Sequence, residues 1–224
     1  MRPIKWTVRR ARSDPTLSAK EFIANRPRGG VVFVQDAMRD AVLLRFSAVA
    51  ACGSETSLLL GLIAAFSASE GIRKDTGIIS WVRWPSVVTI EGKRVAATSA
   101  SVTRASGAGW AELDFRINIL HSGLAGFTSL YDELGVEVDR RLLLDKILES
   151  LSWMHFGWSN EMHPQILRRI TSMTETIGSK VSVRRDGAKT AGSAVEIDAL
   201  GRLVVRLDDG NTTRLEAGDE LSHT

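Results

Sequence analysis

The chain has 224 residues, of which 44% are hydrophobic and 25% charged, enough to bury a substantial core in one or two domains. Its mean hydropathy of -0.01 is ordinary for a soluble protein. The longest apolar stretch, Ala41 to Cys52 and then Leu58 to Phe66, is broken by Arg45, Gly53 and Glu55, which excludes an uninterrupted membrane span of about 18 residues.

Lys and Arg number 29 against 26 Asp and Glu, a net charge of +3. The basic residues gather early, at Arg2, Lys5, Arg9, Arg10, Arg12, Arg26 and Arg28. Such a patch can attract phosphate-rich or acidic partners, but no helix-turn-helix or zinc-finger pattern accompanies it. It reads as a solvated, mildly basic face rather than a nucleic-acid reader. The N-terminus lacks the apolar region of a secretory signal, so a cytoplasmic chain is expected. Cys52 is the single cysteine, which rules out an intramolecular disulfide and a cysteine-based zinc cluster. It lies in the apolar run Val49-Ala-Ala-Cys52 and suits an inert core position better than a nucleophile. The four histidines show no metal-ligand spacing, so no protein metal site is expected.

Along the chain, Trp6 to Arg10 alternates as a short strand would. Thr16 to Asn25 reads as a helix, capped by Asp14 or Thr16 and stopped by Pro27. Gly29-Gly30 leads into a β-branched strand at Val31 to Gln35, and Ala41 to Ala51 is a second strand. A helix follows from Thr56 to Glu70, with Gly71 expected to end it. From Gly77 the chain is β-rich: Ile78 to Val82, Val87 to Ile90, Arg94 to Arg104 and Trp110 to Ile119 should form consecutive antiparallel strands. Hairpins are expected at Glu91-Gly92 and Ser106 to Gly109.

Two helices are then expected. Asp139 to Trp153 carries Leu142, Leu143, Ile147 and Leu151 on one face; Glu161 to Ile177 carries Ile166, Ile170 and Met173, and Gly178 terminates it. The cluster from Trp153 to Trp158 is expected to pack helices together. Four short strands close the chain, at Lys180 to Arg184, Ala194 to Ile197, Arg202 to Leu207 and Thr212 to Leu215, separated by Asp-Gly and Leu-Gly turns. They suggest a small barrel, with a boundary near Gly178 dividing 1–178 from 179–224.

Three segments in series carry a family resemblance: Trp81-Val-Arg-Trp-Pro-Ser86, Glu91-Gly-Lys-Arg-Val-Ala-Ala97 and Asp114-Phe-Arg-Ile-Asn-Ile-Leu120. In order and spacing they resemble the K-W-P-N-D, G-K-K-I-A-G and G-I-G-I-N-V-N segments of biotin–protein ligases. The C-terminal stretch adds Val181-Ser-Val183, Gly192-Ser-Ala-Val-Glu-Ile-Asp-Ala-Leu-Gly-Arg-Leu203 and Glu216-Ala-Gly-Asp-Glu-Leu221. These are similar to the V-x-V, G-x-A-x-x-I-D-x-x-G-x-L and G-D-V-S-L of the same family. The resemblance implies an α/β (α+β) fold: a mixed, mostly antiparallel sheet with flanking helices, like that of class II aminoacyl-tRNA synthetases, followed by an SH3-like C-terminal β-barrel. It also makes a homodimer through sheet edges plausible.

Family members adenylate the biotin carboxylate with ATP and magnesium, then transfer biotin to a lysine of an acceptor domain. That chemistry needs glycine backbone close to the ligand, positive charge at the developing phosphate and a closing basic loop. Each is weakened here. The Gly-Arg loop expected after Gln35 is shortened to Asp36-Ala-Met-Arg-Asp40, leaving Arg39 as its basic residue. The first-helix S-T-N aligns with Asp14-Pro15-Thr16.

By the resemblance, Arg83 and Arg94 fall at the lysine positions and are the candidate catalytic cations. Arginine is planar and differently hydrated, so that exchange is not conservative at a fitted site. Trp84, Pro85, Ser86, Arg116, Asn118, Arg39 and Thr16 become the candidate ligand-binding set. Trp84-Pro85 suits core packing at a strand end equally well. Arg116 replaces a glycine chosen for close ligand approach; it either occupies the ligand floor or is an exposed strand residue.

Three functions follow. The first is a biotin–protein ligase-like pseudoenzyme that partners a biotin acceptor domain of a carboxylase, or a true ligase. The second is a divergent active biotin–[acetyl-CoA-carboxylase] ligase using biotin and ATP. The third is a ligase or binder for another carboxylate such as lipoate.

Overall fold

A computed structural model describes residues 5–11, 30–35, 43–105, 108–120, 123–159, 162–185, 188–216 and 220–223. The helix expected at Thr16 to Asn25, the loop carrying Arg39 and the Asp186-Gly187 turn lie outside these residues. Seven strands form the larger sheet: β1 (Trp6–Ala11), β2 (Gly30–Gln35), β3 (Leu43–Cys52), β4 (Trp81–Arg83), β5 (Val87–Ile90), β6 (Lys93–Ala105) and β7 (Ala108–Asn118). Their spatial order is β1-β2-β3-β7-β6-β5-β4. The β1–β2 pair is parallel and the rest are antiparallel, so the sheet is mixed but mostly antiparallel, as expected.

Alternation along the central strands sets which face packs. Leu44, Phe46 and Ala48 of β3 and Leu113, Phe115 and Ile117 of β7 are all buried toward the helices. Phe46 and Phe115 are cross-strand partners whose rings stack with centroids 4.3 Å apart. Such a pair contributes about 0.5–1.5 kcal/mol beyond its buried area.

Against this face lies α1 (Ser57–Thr76). The Thr56 hydroxyl oxygen caps it by accepting the Leu59 N–H, and Gly77 ends it with φ 77°. Gly71, expected to terminate this helix, lies inside it. A Cβ there would sit 2.4 Å from Ile147 Cγ1 and 2.9 Å from the Ile147 backbone, so the glycine serves a close helix crossing. The partner is α3 (Arg140–Ser159), reached through α2 (Leu130–Leu134). Since α1 is covered by the sheet and by α3, nearly every residue from Leu59 to Ile72 is buried and no polar stripe is needed. The buried Glu70 carboxylate is shared by Arg73 at 3.1 Å and Arg169 at 3.0 Å.

Helix α3 runs past the expected end at Trp153, with the Asp139 carboxylate accepting the N–H groups of Arg141 and Leu142. Leu143, Ile147 and Leu151 are buried, but Leu142 faces outward. The tryptophan cluster divides: Trp158 is buried and stacks on His163, whereas Trp153 is largely exposed.

The last helix, α4 (His163–Ser172), is shorter than the expected Glu161 to Ile177. Beyond it the chain pairs with the outer edge of β4. Val82 N–H donates to the Met173 carbonyl, Glu175 N–H to the Val82 carbonyl, and Trp84 N–H to the Thr176 hydroxyl. Covering a sheet edge outweighs continuing the helix.

A second, antiparallel sheet contains β8 (Lys180–Arg185), β9 (Ala188–Ile197), β10 (Leu203–Leu207), β11 (Thr212–Leu215) and β12 (Glu220–His223), in the order β11-β10-β9-β8-β12. It has one strand more than expected, and β9 begins earlier than Ala194. Its β9–β10 turn docks on the larger sheet's helix: Trp84 Nε1–H donates to the Gly201 carbonyl at 2.9 Å, and the Thr56 hydroxyl to the Leu200 carbonyl at 2.7 Å. Asp198 holds the turn by accepting from the N–H groups of Leu200 and Arg202.

Candidate functional site

The face of the seven-stranded sheet opposite the helices is chemically mixed. Along β7 it carries Glu112, Asp114, Arg116 and Asn118; along β3, Arg45, Ser47 and Val49. One end is apolar, where Ala11, Val31, Phe33 and Val49 form a small cluster with Trp110. The other end is exposed at Arg116.

Arg116 is the candidate that this face presents outward. Its cross-strand partners are Arg45 on β3 and Ala97 on β6. Two residues along, the Ser47 hydroxyl donates to the Asp114 carboxylate, and Ser47 itself is fully buried. Asn118 shares the face, but its amide donates to the Thr128 carbonyl at 3.0 Å, so it ties β7 to the loop before α2.

The candidate cations Arg83 and Arg94 are each engaged. Arg83 Nε donates to Glu175 Oε1 at 2.5 Å, and its Nη2 to the Gly92 carbonyl at 3.2 Å. The second Glu175 oxygen accepts the Thr89 hydroxyl at 2.9 Å. The Arg94 guanidinium lies over the Phe127 ring, 5.2 Å from its centroid, while its backbone bridges to Gly126 and Thr128. Arg83 and Arg116 belong to one cross-strand row, Arg83–Val87–Ala97–Arg116, three strand spacings or roughly 14 Å apart. The structure therefore keeps Arg83 and Arg116 apart on the sheet.

Trp84 is buried and its indole N–H is satisfied by Gly201, which makes it a packing residue between the sheets. Pro85 and Ser86 are half-buried, and the Ser86 carbonyl accepts the Thr98 N–H at 2.8 Å. Arg39 and Thr16 fall outside the described residues.

Arg45, Asp114 and Glu175 were not among the candidates. Arg45 carried a signal, since it is the one charge interrupting the apolar run Ala41 to Cys52. Glu175 carried none, because its pairing with Arg83 spans 92 positions.

Burial pushes the Cys52 thiol up, reinforced by the Glu55 carboxylate and opposed by Arg104. A raised thiol is a poor nucleophile at neutral pH. No group of three or more His, Cys, Asp or Glu among the described residues is placed to hold a metal ion. No described helix is long and apolar enough to cross a membrane. The second face thus carries charged and hydrogen-bonding groups, with no histidine or cysteine among its described central residues.

Residues 176–219 match the family described as biotin protein ligase C terminal domain. No curated protein sequence matches the chain. Among solved structures, the biotin protein ligase from Aquifex aeolicus is similar at a TM-score of 0.76 and 20% identity, covering 100% of this chain and 99% of that one. A biotin protein ligase-like protein of unknown function from Silicibacter sp. is similar at 0.76 and 15%, covering 95% and 94%. The biotin protein ligase from Leishmania major in complex with biotin is similar at 0.53 and 14%, covering 95% and 97%. The chain has a biotin protein ligase-like fold.

Proposed function

We propose that this protein is a noncatalytic biotin protein ligase-like scaffold, a binding or regulatory partner for a biotin acceptor domain or for a related ligase. The observation that carries this reading is the engagement of the two cations at the lysine positions. Arg83 is locked between Glu175 and the Gly92 carbonyl, and Arg94 is laid over Phe127. A cation held in an ion pair contributes to the fold, and moving it to a developing phosphate would leave Glu175 without its partner. The replacement of a close-approach glycine by Arg116 supports the same conclusion.

Within this reading the chain divides near Gly178 into a ligase-like unit, 1–178, and a small β unit, 179–224. The test is calorimetric titration with biotin, alone and with ATP and magnesium, followed by an assay for biotin transfer to an acceptor domain. Binding of the acceptor domain or of a ligase without transfer is the expected result. Robust ATP-dependent biotinylation would sink the proposal in favour of a divergent active ligase.

A further inference from the structure

We infer that Arg73 and Arg169, held side by side on the buried Glu70 carboxylate, form a docking point for a carboxylate-rich segment of a partner protein. The three residues belong to the helix layer, on the side of the large sheet away from Arg116. The inference goes beyond the noncatalytic reading and does not depend on it.

Glu70 lies in the second half of α1, where nearly every neighbour is covered, and its side chain is only 6% exposed. A carboxylate taken out of water needs a cation, and one arginine would balance its charge. Here there are two. Arg73, on the same helix, donates from Nη2 to Oε2 at 3.1 Å, and Arg169 of α4 donates from Nη2 to Oε1 at 3.0 Å. Two guanidiniums on one carboxylate leave the group with a net positive charge.

The arginines are fixed at one end and open at the other. Their side chains are 46% and 56% exposed. Each gives Nη2 to Glu70, and a guanidinium has further N–H donors on its other nitrogens. Arg169 is also steadied by the Phe66 ring, whose centroid lies 5.6 Å from its guanidinium carbon. An incoming carboxylate therefore meets forks that are already ordered, which spares the entropy of ordering them on binding. Planar forks also suit planar carboxylates better than ammonium groups do.

Lys74 and Arg168, next to them in sequence and exposed, add charge on both helices. The nearby acids are engaged: Glu149 pairs with Lys74 at 3.4 Å, and Asp75 interacts with Lys146. Cations spread over α1 and α4 fit a segment bearing several carboxylates better than a single small anion. Two copies of this surface would repel each other, which argues against self-pairing here.

The probes are a deca-glutamate peptide and a deca-lysine counterpart, titrated into the full chain. NMR signals of the Arg73 and Arg169 Nε–H groups report the site. The acidic peptide alone is expected to bind and to shift both signals. R73A/R169A should lower its affinity by more than about ten-fold. R73K/R169K, which keeps the charge and a partner for Glu70 but loses the forks, should fall about ten-fold or less. K189A/R206A removes the same charge from the small sheet and should have far less effect.

The docking point is overturned if the acidic peptide fails to bind, or if R73A/R169A binds as tightly as the parent. Should that variant not fold, R73K/R169K decides, and parental affinity there overturns the proposal. Equal loss in K189A/R206A would also overturn it, because net charge would then explain the binding. Shifts caused by tripolyphosphate or phosphatidylglycerol vesicles, with none from the peptide, would overturn the protein partner. Biotin transfer bears on the noncatalytic reading alone.

Discussion

The two faces of the large sheet obey different rules. Toward the helices, every central residue of β3 and β7 is apolar and buried, and the partners α1 and α3 are apolar in turn. On the opposite face the same strands carry Arg45, Ser47, Asp114, Arg116 and Asn118. Burial dictates the first face because each side chain removed from water there stabilises the fold by about 1.5–3 kcal/mol. The second face is freed from that demand at Arg116.

Substitutions can break that contrast, and the largest effect is expected on the helix-covered face. Phe115→Ala would remove a ring stacked on Phe46 in a fully buried site, costing about 3–5 kcal/mol in urea unfolding. A loss below about 1 kcal/mol would mean that the face tolerates cavities and is not the closely packed side.

Next comes the junction between the sheets. At Gly201, φ is +82° and an added Cβ would lie 2.7 Å from the Leu59 Cα. Gly201→Ala should cost about 1–3 kcal/mol and loosen the turn that receives the Trp84 indole. A red shift in tryptophan emission would report Trp84 becoming wet; an unchanged spectrum with parental stability would refute the docking role.

A smaller effect is expected from Glu175→Gln. The Arg83–Glu175 pair is about a quarter to a third exposed, so its loss should cost about 1 kcal/mol or less by denaturant titration. A measurable rise in ATP-dependent biotin transfer on freeing Arg83 would challenge its assignment as a structural cation.

The smallest change is expected for Arg116→Ala. Stability should stay within about 0.5 kcal/mol of the parent, as the side chain is exposed. A substantial destabilisation in thermal unfolding would show that Arg116 supports the fold, erasing the difference between the faces.

Much of the architecture was legible in the chain because its period-two and helical patterns are strong. The alternation around Phe46 and Phe115 sets the buried face, and the Asp209-Gly210 and Glu91-Gly92 turns mark their hairpins. The errors have common causes. Gly71 looked like a helix stop because glycine is a common terminator, yet it is required by the approach of Ile147 from a distant helix. The Glu161 to Ile177 pattern looked helical to its end, but Met173 to Thr176 satisfies the β4 edge.

For the candidate site the division is sharper. The residues themselves established the order of elements, the resemblance to biotin–protein ligases and the arginines standing at Arg83, Arg94 and Arg116. Only tertiary structure decided what those side chains meet. Glu175 reaches Arg83 across 92 positions, Gly201 reaches Trp84 across 117, and Arg45 comes opposite Arg116 by strand pairing. Local pattern records which way a side chain points, since that follows from the repeat of the backbone. Its partner depends on how distant segments close together, and no local repeat carries that information.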